Sequence, residues 1–292
     1  MIDYDYLKPA SMKEVFDLLR EYGPRATLIA GGTDVMVTIR NRELSPEVLI
    51  SLRGLHDLCY IRKNDGYHIG ALTTHRMLEQ SDMVKGELSA LHDAASHLGS
   101  VQVRNVATVG GNICNAAPSA DTAGPLLALD AAVVLEGPDG RRSVPIADFF
   151  TGPSTTVRKG DEVLVEFHIP EAPGRFGSAY WKHARRRAMD LPLLGVAVGL
   201  ALSESQEIFD ARIGLTVAAP VPIRARKAEE FLQGKPLETE VLAEAGKIAS
   251  SEASPRDSLR SKAWYRREMI AVFVPRMATL AAERVSTKSI DS

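Results

Sequence analysis

Two pairs of adjacent glycines, each placed where an apolar run stops, constrain this 292-residue chain more than any other feature. The first follows Ala26-Thr27-Leu28-Ile29-Ala30, which reads as a short buried strand, and continues as Gly31-Gly32-Thr33-Asp34. The second lies in Gln102 to Asp121, QVRNVATVGGNICNAAPSAD, where a strand-like run breaks at Gly110-Gly111. Adjacent glycines permit φ > 0 and close backbone approach, so both pairs read as sharp turns. Such a turn leaves N–H groups free to hold an anion. Two of them suggest two loops converging on one phosphate-bearing ligand; two tight turns with no ligand give the same pattern.

Around these turns the chain reads as α+β. Ser11-x-x-Glu14 forms a capping box for an amphipathic helix that ends at Gly23-Pro24. Thr33 is placed to cap a helix running to Arg40. Val48-Leu49-Ile50 reads as a strand, and Asn64-Asp65-Gly66 as the turn of a hairpin. Leu88 to Leu98 has helical spacing and stops at Gly99, Asp121 is placed to cap a helix to Leu129, and Val163 to Ile169 reads as a strand. Pro170 to Gly177 reads as a linker. Beyond it come a strand at Ser178 to His183, a hairpin of Leu193 to Leu202 with Ile208 to Ala218, and three helical patterns ending near Arg284.

Several functions are disfavoured. A net charge of −2 gives no reason to expect a nucleic-acid or anionic-membrane surface. The longest apolar run, Leu191 to Leu202, is too short to span a bilayer, and the acidic N-terminus lacks a signal core; a cytoplasmic protein is expected. Cys59 and Cys114 stand alone, too few for an iron–sulfur cluster. There is no G-x-G-x-x-G after a strand, no Walker A sequence, no G-x-S-x-G, and no metal-binding histidine spacing.

Ala30-Gly31-Gly32-Thr33-Asp34 and Thr108-Val109-Gly110-Gly111-Asn112 resemble the two FAD loops of the flavoprotein subunit of molybdenum hydroxylases. That family includes the medium subunits of carbon monoxide, nicotinate and aldehyde dehydrogenases and the flavin domain of xanthine dehydrogenase. Asn115-x-x-Pro118-x-x-Asp121, Leu126-x-Ala128-Leu129-Asp130-Ala131, Asp148-Phe149-Phe150 and Lys182-x-x-Arg185-Arg186 follow in the family's order, so the resemblance runs from about residue 1 to about 285.

The resemblance implies a PCMH-type FAD-binding domain over 1–175, in lobes of about 1–55 and 56–175. A smaller C-terminal domain of antiparallel sheet and helices over 176–285 and a flexible tail over 286–292 complete the expected organisation. It implies non-covalent FAD, with Leu28, Ile29, Ala30, Gly31, Gly32, Thr33, Asp34 and Val35 in one loop and Thr108, Val109, Gly110, Gly111 and Asn112 in the other. Asp121 would hold the ribityl chain, Lys182 would lie near the flavin, and Leu98 and Leu164 would pack on its ring. The alternative readings are a helix cap for Asp121 and a surface lysine on a strand for Lys182, and without the resemblance the two leucines read as core.

Asp34 stands where many relatives have serine, and Met189 precedes Asp190 where xanthine dehydrogenases have a second acidic residue. The implied partners are a large molybdopterin subunit and a small subunit with 2Fe-2S clusters, assembled as a dimer of heterotrimers. No catalytic residue is expected in this chain. A stand-alone FAD-dependent oxidase is the alternative.

Overall fold

The computed structural model describes residues 3–172 and 174–288. The first lobe is built on a parallel three-stranded sheet in the order Asp5–Leu7, Val48–Ser51, Ala26–Ile29. Its central strand is covered on both faces, so an uninterrupted apolar run is what the position requires. The helix Met12–Tyr22 packs Val15 and Leu19 on it. Ser11 Oγ accepts the Glu14 N–H, while the Glu14 carboxylate accepts the N–H of Ala10, one residue earlier than a standard capping box.

The second lobe is a five-stranded antiparallel sheet in the order Ile61–Lys63, Tyr67–Gly70, Val163–Ile169, Ala132–Gly137, Gly140–Pro145. The first hairpin turns at Asp65 and Gly66, with φ of 52° and 99°. Positive φ at both positions is the requirement that an Asp-Gly turn satisfies.

The C-terminal sheet runs Arg175–His183, Leu194–Leu202, Glu207–Thr216, Ile223–Arg224, all antiparallel, with Lys235–Pro236 added on Glu207–Thr216. Helices Thr239–Glu252 and Ala263–Lys288 pack with it in one apolar core. Every residue of Leu194–Leu202 is buried. A Cβ on Gly214 would lie 2.2 Å from the Gly124 carbonyl, and one on Gly199 would lie 2.8 Å from the Ala128 carbonyl. The short helix Ala123–Ala128 therefore meets the sheet backbone to backbone. That contact sets the strand bearing Lys182 against the segment bearing Asp121.

Several local expectations are corrected. The run from Gln102 is not strand-like but lies in a helical turn, Val101–Arg104, capped by Ser100. Arg104 fixes it there, donating Nε and Nη2 to the Glu79 carboxylate at 2.9 and 3.1 Å and Nη1 to the Leu98 carbonyl. A bidentate pair of this kind outweighs β propensity. Thr33 caps no helix: Val35–Arg40 has Asp34 at its cap position and no side-chain cap bond. Asp121 is not a helix cap either, since that position before Ala123–Ala128 belongs to Thr122. The strand after the linker starts at Arg175. Of the expected tail, 286–288 complete the last helix and 289–292 lie outside the described residues.

Candidate cofactor-binding site

A cleft of about 620 Å³ runs between the two lobes and under the C-terminal sheet. That size suits a small-molecule ligand. Its first wall is the loop after Ala26–Ile29. Gly32 has φ +77°, which glycine alone adopts without strain. A Cβ on Gly31 would lie 2.1 Å from the carbonyl oxygen of Val106, so this loop rests directly on the segment leading into the second one. The backbone N–H groups of Gly31, Gly32, Thr33 and Asp34 make no hydrogen bond among the described residues, and all four residues line the cleft. Consecutive unbonded N–H groups on a concave wall form an anion receptor.

The second glycine pair works differently from the expectation. Gly110 and Gly111 are not a sharp turn and neither has positive φ; they form the first turn of the helix Val109–Cys114, with Thr108 at its cap. Their N–H groups are not free. Val109 donates to the Thr73 carbonyl, Gly110 to the Ala71 carbonyl and Gly111 to Thr108 Oγ1. Gly110 is small because a Cβ would sit 2.7 Å from the Ala71 oxygen, a packing reason. Gly111 faces the cleft, and a Cβ there would meet only Thr108 Oγ1, at 3.0 Å.

At another part of the cleft Lys182 Nζ lies 2.9 Å from Asp121 Oδ2, each side chain 8% exposed. The ammonium also donates to the His97 carbonyl, and the Tyr180 hydroxyl donates to Asp121 Oδ1 at 3.2 Å. Lys182 is thus no surface lysine. Burial raises the Asp121 pKa, with Lys182 working against the rise. Asp34 is exposed at the cleft, yet partial desolvation by its loop raises its carboxyl, which the Thr33 hydroxyl only partly offsets.

Leu28, Ala30, Val35, Leu98, Thr108, Asn112 and Leu164 line the same cleft. Ile29 and Val109 do not; their side chains are buried in separate apolar clusters. Asn112 Oδ1 accepts from the Thr122 hydroxyl at 2.7 Å, tying the second loop to the segment after Asp121. Met189 and Leu191 stand exposed at the rim, and Asp190 accepts the N–H groups of Arg185 and Arg186, bracing its own loop.

Two further cleft residues lie in no motif. His75 is wholly buried, and among the described residues neither ring nitrogen has a partner in full hydrogen-bond geometry, the Thr108 backbone coming nearest. Burial pushes its imidazole down to about 4, so it is neutral at pH 7. Arg158 enters from the loop before Val163–Ile169. The only signal that could have found either is tertiary contact.

Together these residues fit FAD. The unbonded N–H row suits a diphosphate, the buried Asp121, held by Tyr180 from behind, supplies a polar group, and Leu28, Leu98 and Leu164 give apolar cover. Among the described residues no cluster of three or more His, Cys, Asp or Glu could hold a metal ion, and no helix is long and apolar enough to cross a membrane.

Comparison with known proteins agrees. Residues 2–172 match the FAD binding domain in molybdopterin dehydrogenase, and residues 179–281 match the CO dehydrogenase flavoprotein C-terminal domain. The xanthine dehydrogenase FAD-binding subunit of Escherichia coli O157:H7 is 35% identical over 292 residues, covering 99% of each chain. The carbon monoxide dehydrogenase medium chain of Hydrogenophaga pseudoflava is 34% identical, covering 96% of this chain and 98% of that one. A structure of that organism's carbon monoxide dehydrogenase, in a form lacking the Mo-pyranopterin moiety of its molybdenum cofactor, matches with a TM-score of 0.92 at 34% identity, over 97% of this chain and 98% of that one. Both halves of the fold and relatives of full length point the same way: the chain belongs to the family of FAD-binding subunits of molybdopterin-dependent dehydrogenases.

Proposed function

We propose that this chain holds one FAD non-covalently in the cleft and serves as the electron-transfer subunit of a heteromeric molybdenum hydroxylase. The observation that carries the reading is the convergence of the free N–H row of Gly31 to Asp34 with the buried Lys182–Asp121 pair on one cleft. Gly31, Gly32, Thr33 and Asp34 receive the diphosphate, Asp121 the ribityl hydroxyls, and Leu98 and Leu164 the ring. Thr108 and Asn112 shape the second loop, which contributes form more than donors. A bound flavin accepts electrons singly and releases them in pairs. Lys182 supplies positive charge where the reduced ring gains electron density, and the leucines exclude water from it.

Residues 1–175 act as the FAD-binding unit, with lobes of about 1–55 and 56–175, and residues 176–285 cover it. The partners are a large molybdopterin subunit and a small 2Fe-2S subunit, in a cytoplasmic dimer of heterotrimers. Substrate is oxidised on the large subunit and none is transformed here. Reconstitution tests this. The isolated chain is expected to be reduced by dithionite but not by aldehydes, purines or N-heterocycles, and adding both partners should make its flavin bleach on substrate addition. Bleaching of the isolated chain by an organic substrate would favour the stand-alone oxidase.

Asp34 gives a separate prediction. Its carboxylate adjoins the N–H row, so an incoming diphosphate meets a like charge. Asp34→Ser is expected to tighten FAD binding by about tenfold, the scale of one partly screened charge repulsion. Binding to the parent should also tighten as pH falls, because protonating Asp34 removes the repulsion. The serine variant should lose that slope. Titration of the apoprotein by flavin fluorescence from neutral pH down to the acid limit of its folded range measures both, and a variant with parental affinity and slope would contradict the placement.

A further inference from the structure

The diphosphate of the proposed ligand carries two negative charges into a cleft that already holds the carboxylates of Asp34, Asp121 and Asp190. Neutral N–H donors meet part of that charge. Of the cations, Lys182 is closed on Asp121 at 2.9 Å. Arg185 and Arg186 turn to Asp190, at 3.5 and 3.7 Å. Arg158 is different. Among the described residues lining the cleft, it is the one Lys or Arg side chain with no carboxylate within ion-pair distance. Its Nη1 donates to the carbonyls of Lys159 and Glu162 at 3.0 and 2.7 Å, and among the described residues its Nε and Nη2 have no partner.

The arginine is also held in place before any ligand arrives. Its N–H bonds Thr156 Oγ1, and the turn that carries it is closed by the Glu162 carboxylate accepting from the Lys159 N–H and from Arg142. Arg142 further donates to the Val157 carbonyl. A guanidinium fixed on one edge and free on the other is arranged for a planar, bidentate anion contact. Arg158 lines the same cleft as Cys114, Asn115, Ser119 and Asp121. Cys114 is three residues beyond Gly111 on the same helix, about 4.5 Å along the axis, on the way to Asp121. Arg158 therefore shares one cleft with the glycine loops and the Asp121–Lys182 pair.

We propose that Arg158 is a ligand-binding residue whose free guanidinium edge pairs with the diphosphate of the bound dinucleotide. The assignment rests on the reading of the cleft as an FAD site. It gives the site the cation that its glycine loops lack, and it explains how a loop with Asp34 in it retains a dianion.

The test uses the full-length apoprotein titrated with FAD, with ADP, which has the diphosphate and no flavin, and with riboflavin, which has no phosphate. Arg158→Gln is expected to weaken FAD and ADP alike by about 30-fold or more, the loss seen when one partner of a close charge pair is removed. Riboflavin affinity should not change. Arg158→Lys should restore part of the loss, FAD binding to Arg158→Gln should depend less steeply on salt, and the apoprotein should still unfold cooperatively, with at most the small melting shift that losing the two carbonyl contacts brings. Parental FAD and ADP affinity in Arg158→Gln overturns the assignment alone, and so does an equal loss for riboflavin. A parent chain that binds neither FAD nor ADP overturns the function reading and this inference with it.

Discussion

Gly31→Ala is expected to yield a folded but colourless protein. The added methyl would lie 2.1 Å from the Val106 carbonyl oxygen, 2.7 Å from its carbon and 2.9 Å from Ala107 Cα. All three are backbone atoms, so no side chain can swing aside to make room. The two loops must separate by about 1 Å for ordinary contact, which moves the free N–H row off the ligand expected there and lengthens its hydrogen bonds beyond useful range. Gly111→Ala is the internal comparison. There the methyl meets one hydroxyl at 3.0 Å, and a modest loss of retention is expected. The ratio of flavin to protein absorbance after purification, with circular dichroism as the folding check, separates the two. A Gly31→Ala chain with full flavin occupancy would refute the loop junction as the basis of the site.

The second large effect is on stability. Lys182→Met leaves Asp121 in its buried position with only the Tyr180 hydroxyl for company. Breaking a buried pair by removing one partner costs about 3–5 kcal/mol. On a chain of this size that corresponds to a melting shift of roughly 5–8 °C. The sign of its pH dependence follows from Asp121. Burial already raises that carboxyl, and losing Lys182 raises it further. A carboxyl raised on folding lowers stability when it ionises, so stability is lost as pH rises through its folded pKa and is recovered below it. The variant should be most impaired near pH 8 and closer to the parent near pH 5. Asp121→Asn in the same chain should restore much of the loss at pH 8. Melting curves at the two pH values decide it, and a shift of equal size at both would contradict a buried carboxylate as the cause.

How far the fold could be read in advance differs from segment to segment for physical reasons. Ala26–Ile29, Val163–Ile169 and Leu194–Leu202 are runs of apolar residues ended by turn formers, and such runs fold alike in many contexts. Val101–Arg104 was not legible, because what makes it helical is Arg104 reaching Glu79 and Leu98, contacts that sequence spacing does not encode. The glycine pairs show the same division inside the site. A Gly-Gly pair declares that a Cβ is unwelcome and does not say what occupies the space. At Gly31 it is the Val106 carbonyl, at Gly110 the Ala71 carbonyl, and at neither is it open cleft. Hence the first loop leaves its N–H groups unbonded among the described residues while the second gives them to Thr73, Ala71 and Thr108. Lys182 and Asp121, which family resemblance marked separately, are joined because Gly124, Gly199 and Gly214 let the two domains approach. His75 and Arg158 carry no local pattern at all.

The central claim is that the cleft between Gly31 and Lys182 holds FAD without a covalent bond. The most direct measurement is acid precipitation of the purified chain followed by mass and absorbance analysis of supernatant and pellet. The account predicts a yellow supernatant containing one FAD per chain and a colourless pellet. A supernatant containing FMN, a pellet that keeps its flavin, or a chain that neither carries nor takes up FAD would contradict it.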